Sequence, residues 1–111
     1  MERVTITAEI IHSALSRLTA LLQRIPKPDV ETVLVEGDGQ FLLKRIGWHG
    51  GKRVNNTVVY LRLKNDKVWI EEDWTEEGIV TQLLHAGVPR DDIVLAFHPP
   101  QLRHLTEFAS A

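Results

Sequence analysis

Hydrophobic and polar positions change their period several times along this chain, and each change marks an element. Ile11, Leu15, Leu18, Leu22 and Ile25 recur at spacings of four and three, with Ala14 and Leu21 widening the stripe. Such a spacing puts one apolar face along a helix of about four turns. Thr5 or Thr7 is the expected N-cap, and Pro26-Lys27-Pro28 ends the helix, because proline cannot continue one. A stripe this regular serves either as a cover for the chain's own sheet or as an oligomer seam. The first use is the simpler one for a chain of this size.

The period then shortens to two. Val30 to Glu36 and Gln40 to Trp48 read as strands joined at Gly37-Asp38-Gly39. The consecutive apolar residues Phe41, Leu42 and Leu43 imply that the second strand is at least partly covered on both faces. Gly47 to Arg53 reads as a glycine-rich connection, with the next strand beginning near Val54. There Val59, Leu61 and Leu63 alternate with Val58, Tyr60, Arg62 and Lys64. Asn65-Asp66 fits a two-residue turn, which would set Lys64 opposite Lys67, Leu63 opposite Val68 and Leu61 opposite Ile70. On the other side of this hairpin Arg62 meets Trp69 and Tyr60 meets Glu71. A guanidinium over the Trp69 ring is a cation–π contact of ~0.5–1 kcal/mol when exposed.

A second helical stripe follows, made of Ile79, Val80, Leu83 and Leu84. Thr75 is its expected N-cap, Glu76 and Glu77 place negative charge in the first turn, and His85 sits in the last. Gly87 suits the left-handed residue beyond the helix, and Pro89 prevents continuation. Ile93 to Phe97 then reads as a short interior strand, stopped by His98-Pro99-Pro100, with one helical turn around Leu102 and Leu105. The expected architecture is a single α+β domain over residues 1–111, in the order α-β-β-β-β-α-β. Its mainly antiparallel sheet is covered by the N-terminal helix and the helix at 76–86.

Composition narrows the function classes. The 111 residues contain no cysteine, so disulfides, thiolate metal sites and a cysteine nucleophile are excluded. Neither a secretory start nor an apolar run of spanning length is visible, so a cytoplasmic protein is expected. Thirteen basic residues stand against fifteen acidic ones, for a net charge of −2. A phosphate-gripping domain usually shows a basic excess, and here the densest run, Glu71-Glu72-Asp73 with Glu76-Glu77, is acidic. Direct DNA contact is therefore not favoured. Exposure of Trp48, Trp69 and Trp74 would point instead to a homo-oligomer.

No reaction chemistry emerges from the motifs. Gly47-Trp48-His49-Gly50-Gly51-Lys52-Arg53 lacks the spacing of a phosphate loop, has arginine where magnesium needs a hydroxyl, and precedes a strand. It reads as a hairpin turn, with Lys52 and Arg53 available for a looser anion contact. The histidines at 12, 49, 85, 98 and 104 show no ligand spacing, although His98 and His104 could approach around the diproline. The carboxylates at 71 to 77 read as a solvated face. No catalytic, cofactor or metal residues are nominated.

Several motifs together resemble a known family. They are Gly47-Trp48 with Lys52-Arg53-Val54, Lys67-Val68-Trp69-Ile70, Gly87-Val88-Pro89, Asp92-Ile93-Val94-Leu95, Phe97 with Pro99-Pro100, and Arg103 with Thr106-Glu107-Phe108-Ala109. In this order, and over essentially the whole chain, they resemble the XisI family of cyanobacterial controlling factors for excision of the fdxN element. The resemblance implies a role in programmed DNA rearrangement during heterocyst differentiation. There a site-specific recombinase removes the element, and XisI-like proteins act beside a nuclease-like companion of the XisH family. It supplies no catalytic residues. Gln101, Leu105 and the Asn55-Asn56 pair depart from the family's usual residues.

Two functions follow as expectations. The first is a non-enzymatic accessory factor that binds an XisH-like protein. The second is direct DNA contact through a basic hairpin face, which needs Arg45, Lys52, Arg53, Arg62, Lys64 and Lys67 to converge. The nominated surface residues are Trp48, Lys52, Arg53, Arg62, Lys64, Lys67, Trp69, His98 and Arg103.

Overall fold

The computed structural model describes residues 5–24, 27–76 and 78–111. The elements are α1 (Ala8–Leu22), β1 (Val30–Gly37), β2 (Gln40–His49), β3 (Lys52–Lys64), β4 (Lys67–Asp73), α2 (Ile79–His85), β5 (Ile93–Leu95) and the single-turn α3 (Pro100–Arg103). The expected order α-β-β-β-β-α-β is the observed one, completed by a short helical turn near the C-terminus. The five strands lie in sequence order in one sheet. The first four form an antiparallel meander, and β5 runs parallel to β4 after the α2 crossover.

All three hairpins turn on two residues with positive φ: Asp38 and Gly39, Gly50 and Gly51, Asn65 and Asp66. Turns of this hand match the right-handed twist of the flanking strands. The glycine-rich stretch is thus only the Gly50-Gly51 turn, and its strands run further than expected, to His49 on one side and from Lys52 on the other. Lys64 faces Lys67, Leu63 faces Val68, Leu61 faces Ile70 and Arg62 faces Trp69, as the alternation predicted. Beyond Leu61 the register shifts at a bulge, so Tyr60 meets Glu72 and not Glu71. The bulge adds one residue to β4, which re-phases its last positions.

Both helices lie on one face of the sheet. Ile11, Ala14, Leu15 and Leu18 of α1 are buried, so this stripe is core. They join Ile79 and Leu83 of α2 over Phe41, Leu43, Val59, Leu61, Val68, Ile70 and Ile93. Each such side chain contributes about 1.5–3 kcal/mol on leaving water. Thr7 caps α1, its hydroxyl accepting from the Ile10 amide at 3.3 Å. The expected contributions of Ile25 and Pro26 lie outside the described residues.

The start of α2 differs from expectation. The helix begins at Ile79, and Gly78 occupies the cap position with no side-chain bond of its own. The capping group is Asp73, reaching forward from the end of β4. Its Oδ1 accepts from the Thr75 amide (3.0 Å) and hydroxyl (2.6 Å), and its Oδ2 accepts from the Ile79 amide (2.9 Å). Thr75 bridges by accepting from the Gly78 amide at 3.0 Å. Glu76 therefore precedes the helix, while Glu77 lies outside the described residues. A carboxylate outcompetes a hydroxyl as the terminal acceptor because it carries full charge. At the other end, the Val88 amide donates to Leu83 O (3.0 Å) and the Gly87 amide to Leu84 O (3.1 Å), with Gly87 at φ 98°. That is a Schellman stop, sealed by buried Val88.

β5 is shorter than expected: it ends at Leu95, and Phe97 is 52% exposed beyond it. The chain turns there, the His98 amide donating to Leu95 O at 3.1 Å, and Ala109 returns to bridge Val94, its amide donating to Ile93 O at 2.9 Å, which covers the β5 edge.

Two substitutions test this construction. A Cβ on Gly47 would stand 1.9 Å from the Asp29 carbonyl oxygen, so Gly47→Ala should destabilise by about 2 kcal/mol or more in denaturant unfolding. Asp73→Ala removes three accepted hydrogen bonds and should cost about 1–3 kcal/mol by the same measurement, with Thr75→Val costing less.

Candidate functional site

With α1 and α2 on one face, the alternation of the strands sends every other side chain to the opposite face, which neither of these helices covers. Following the register from core residues fixes that outer face. β1 gives it Glu31, Val33 and Val35, and β2 gives it Gln40, Leu42, Lys44, Ile46 and Trp48. β3, whose alternation is re-phased by a bulge at Val58, adds Arg53, Asn55, Thr57, Tyr60, Arg62 and Lys64, and β4 adds Lys67, Trp69 and Glu72. Val35 is 47% exposed and Trp48 54% exposed, both large apolar side chains facing water.

Six of the nine nominated residues share this face but sit towards its two ends, Trp48 and Arg53 beside the 50–51 turn and Arg62, Lys64, Lys67 and Trp69 towards the 65–66 turn. Trp48 and Arg53 are a cross-strand pair, with the guanidinium 5.6 Å from the ring centroid and its Nη1 donating to Gly47 O at 3.4 Å. Arg62 lies between Trp69 on β4 and Gln40 on β2. Lys52 does not join them, because it faces His49 one position out of phase with Arg53. Arg45 is out of phase with Lys44 in the same way, and it lines a hollow with Leu22 and Gln23 on the helix side. The six cations required for a basic hairpin face are therefore split, four on the outer face and two away from it.

The expected cation–π pair is corrected. Arg62 is opposite Trp69, but the cations on the indole are Lys64, with Nζ 4.8 Å from the ring, and Arg103, with Cζ 5.5 Å from it. The indole N–H donates to Lys64 O at 3.1 Å. Arg103 arrives from α3 and is held by the tail itself, its Nε donating to His98 O at 3.0 Å and its Nη2 to Ala96 O at 3.2 Å. The Lys67 ammonium donates to the Ala111 carbonyl. Trp69 is thus a half-buried anchor for the C-terminal segment, and a reading by strand pairs alone could not find a partner that far along the chain. His98 belongs to this tail and packs on Phe97 with ring centroids 4.6 Å apart.

The apolar and cationic residues of this face that the sequence did not nominate for a surface are Val33, Val35, Leu42, Lys44 and Ile46. Their signal was present in the unbroken run Phe41-Leu42-Leu43, which gives the outer face a leucine that no helix covers. Tyr60 sits at the centre of the face, its hydroxyl donating to the Gln40 side chain. The acidic run is dispersed: Asp73 caps α2, Glu72 accepts from the Trp74 indole at 3.2 Å, and Glu71 is the bulge residue. Among the described residues no group of three or more histidines and carboxylates is arranged to hold a metal ion.

Comparison with known proteins matches this architecture. The family described as XisI protein matches residues 1–110. The crystal structure of the fdxN element excision controlling factor XisI from Anabaena variabilis is 39% identical, covers 93% of this chain and 94% of its own, and superposes with a TM-score of 0.72. A XisI-like protein from the same organism is 27% identical over the same shares, with a TM-score of 0.81. No curated protein matches the sequence. With the family model matched over residues 1–110 and the fold shared with both structures, the chain belongs to the XisI family.

Proposed function

We propose that this chain is a non-catalytic controlling factor for excision of a DNA element, and that it acts by holding a protein partner of the XisH-like kind. The name of the Anabaena variabilis relative supports the excision role. The observation that carries the mode of action is the outer sheet face, where Val35 and Trp48 are exposed and Val33, Leu42, Ile46, Lys44 and Arg62 are half-buried. Nucleophile, base and ligand groups are not gathered there: the charged residues present are lysines, arginines and isolated carboxylates, and the hydroxyl of Tyr60 is taken by Gln40. Exposed apolar surface rimmed by charge is what a protein partner covers.

Co-expression of the tagged chain with an XisH-like protein tests the reading. A stoichiometric complex that survives dilution to micromolar concentration is the expected outcome. Free proteins at that concentration, both folded, would overturn it.

A further inference from the structure

Resting on that reading, we infer that the partner docks on the outer sheet face and that it presents carboxylates around an aliphatic band. Charge is the first ground. Lys44, Arg53, Arg62, Lys64, Lys67 and Arg103 occupy or overhang the face, against Glu31, Glu72 and the bulge residue Glu71. The other described residues include six basic and ten acidic side chains. A molecule of net charge −2 is therefore polarised, cationic on its sheet and acidic elsewhere.

Pairing is the second ground. Lys44 and Arg62 are half-buried, and neither forms an ion pair among the described residues. A partly desolvated cation gains most from a carboxylate brought to it by another surface. Between and beside these two cations lie Val33, Val35, Leu42 and Ile46 on β1 and β2.

These features select among occupants. A second copy would set three net positive charges against three, a like-charge juxtaposition that interfaces avoid. A single nucleic-acid strand binds a sheet by stacking bases on free aromatic faces. Here Trp69 already carries Lys64 at 4.8 Å and Arg103 at 5.5 Å, and Trp48 carries Arg53 at 5.6 Å, which leaves Tyr60 as the aromatic of this face with no cation on its ring. Phosphates, moreover, would leave the four aliphatic side chains in water. An acidic protein surface with aliphatic residues at its centre satisfies both halves of the face, the apolar core and the charged rim.

The test uses the full chain and the XisH-like protein, with affinity measured by titration. Lys44→Glu combined with Arg62→Glu should weaken binding by more than about tenfold, and added salt should weaken the unsubstituted complex. The milder pair Lys44→Gln with Arg62→Gln should do the same in direction, which keeps the test valid if the glutamates disturb folding. Arg17→Glu, exposed on α1 on the opposite side, should leave affinity within about twofold. If the unsubstituted proteins do not associate, the functional reading fails and this surface with it. If they associate and both double variants bind as before, the surface is wrong and the reading stands. Equally decisive against it would be a face-to-face dimer of the chain that the double variants dissolve, or a DNA oligonucleotide whose binding alone they abolish.

Discussion

Everything in this molecule depends on the sheet being covered from one side. The α1 stripe of Ile11, Ala14, Leu15 and Leu18 and the shorter α2 stripe of Ile79 and Leu83 supply a single apolar layer, which takes up one face of five strands. The layer is anchored at its weakest point by Asp73, a β4 residue that caps α2 and so ties the second helix to the sheet it covers. No further helix of the described residues is long enough to form a second layer, since α3 has only four residues. The outer face is a direct result of that arithmetic. Half of each strand's side chains must point away from the helices, whatever their character.

The sequence was most legible where period and turn chemistry agreed. Alternation around Leu61 and Ile70, with Asn65-Asp66 between them, led to the observed pairing. Gly87 and Pro89 marked a helix stop that the structure realises through two backbone hydrogen bonds. Legibility failed where an interaction skipped along the chain. Thr75 looked like the cap of α2 because it is near, but the carboxylate two residues earlier reaches further and carries charge. The bulge after Leu61 left no trace in a two-residue period, and it moved Tyr60 from Glu71 to Glu72.

The candidate surface was legible in parts and not as a whole. Arg62 with Trp69 stood out as a local pair, and Trp48 and Arg53 stood out only as parts of one glycine-rich connection, yet nothing local shows that they share one face. That follows only from the register across β2 and β3. The C-terminal segment illustrates the same limit. Arg103 was nominated for exposure, whereas its guanidinium is spent on two carbonyls and the Trp69 ring, so it shapes the rim of the face by holding the tail there. Lys44 went unnoticed because a lone lysine between Leu43 and Arg45 says nothing until its neighbours on β1 and β3 are known.

The three two-residue turns do more than reverse the chain. Because the side-chain period is two, a slip of one residue in any hairpin would exchange the two faces of that strand. On β2 it would carry Lys44 into the layer beneath α1 and expel Phe41 and Leu43. Core and surface are thus written on alternate letters of the same strands, and the left-handed pairs at 38–39, 50–51 and 65–66 keep the two messages apart. Descendants of this fold can rewrite the outer letters freely and change what the sheet recognises while the inner letters hold, provided that no turn gains or loses a residue.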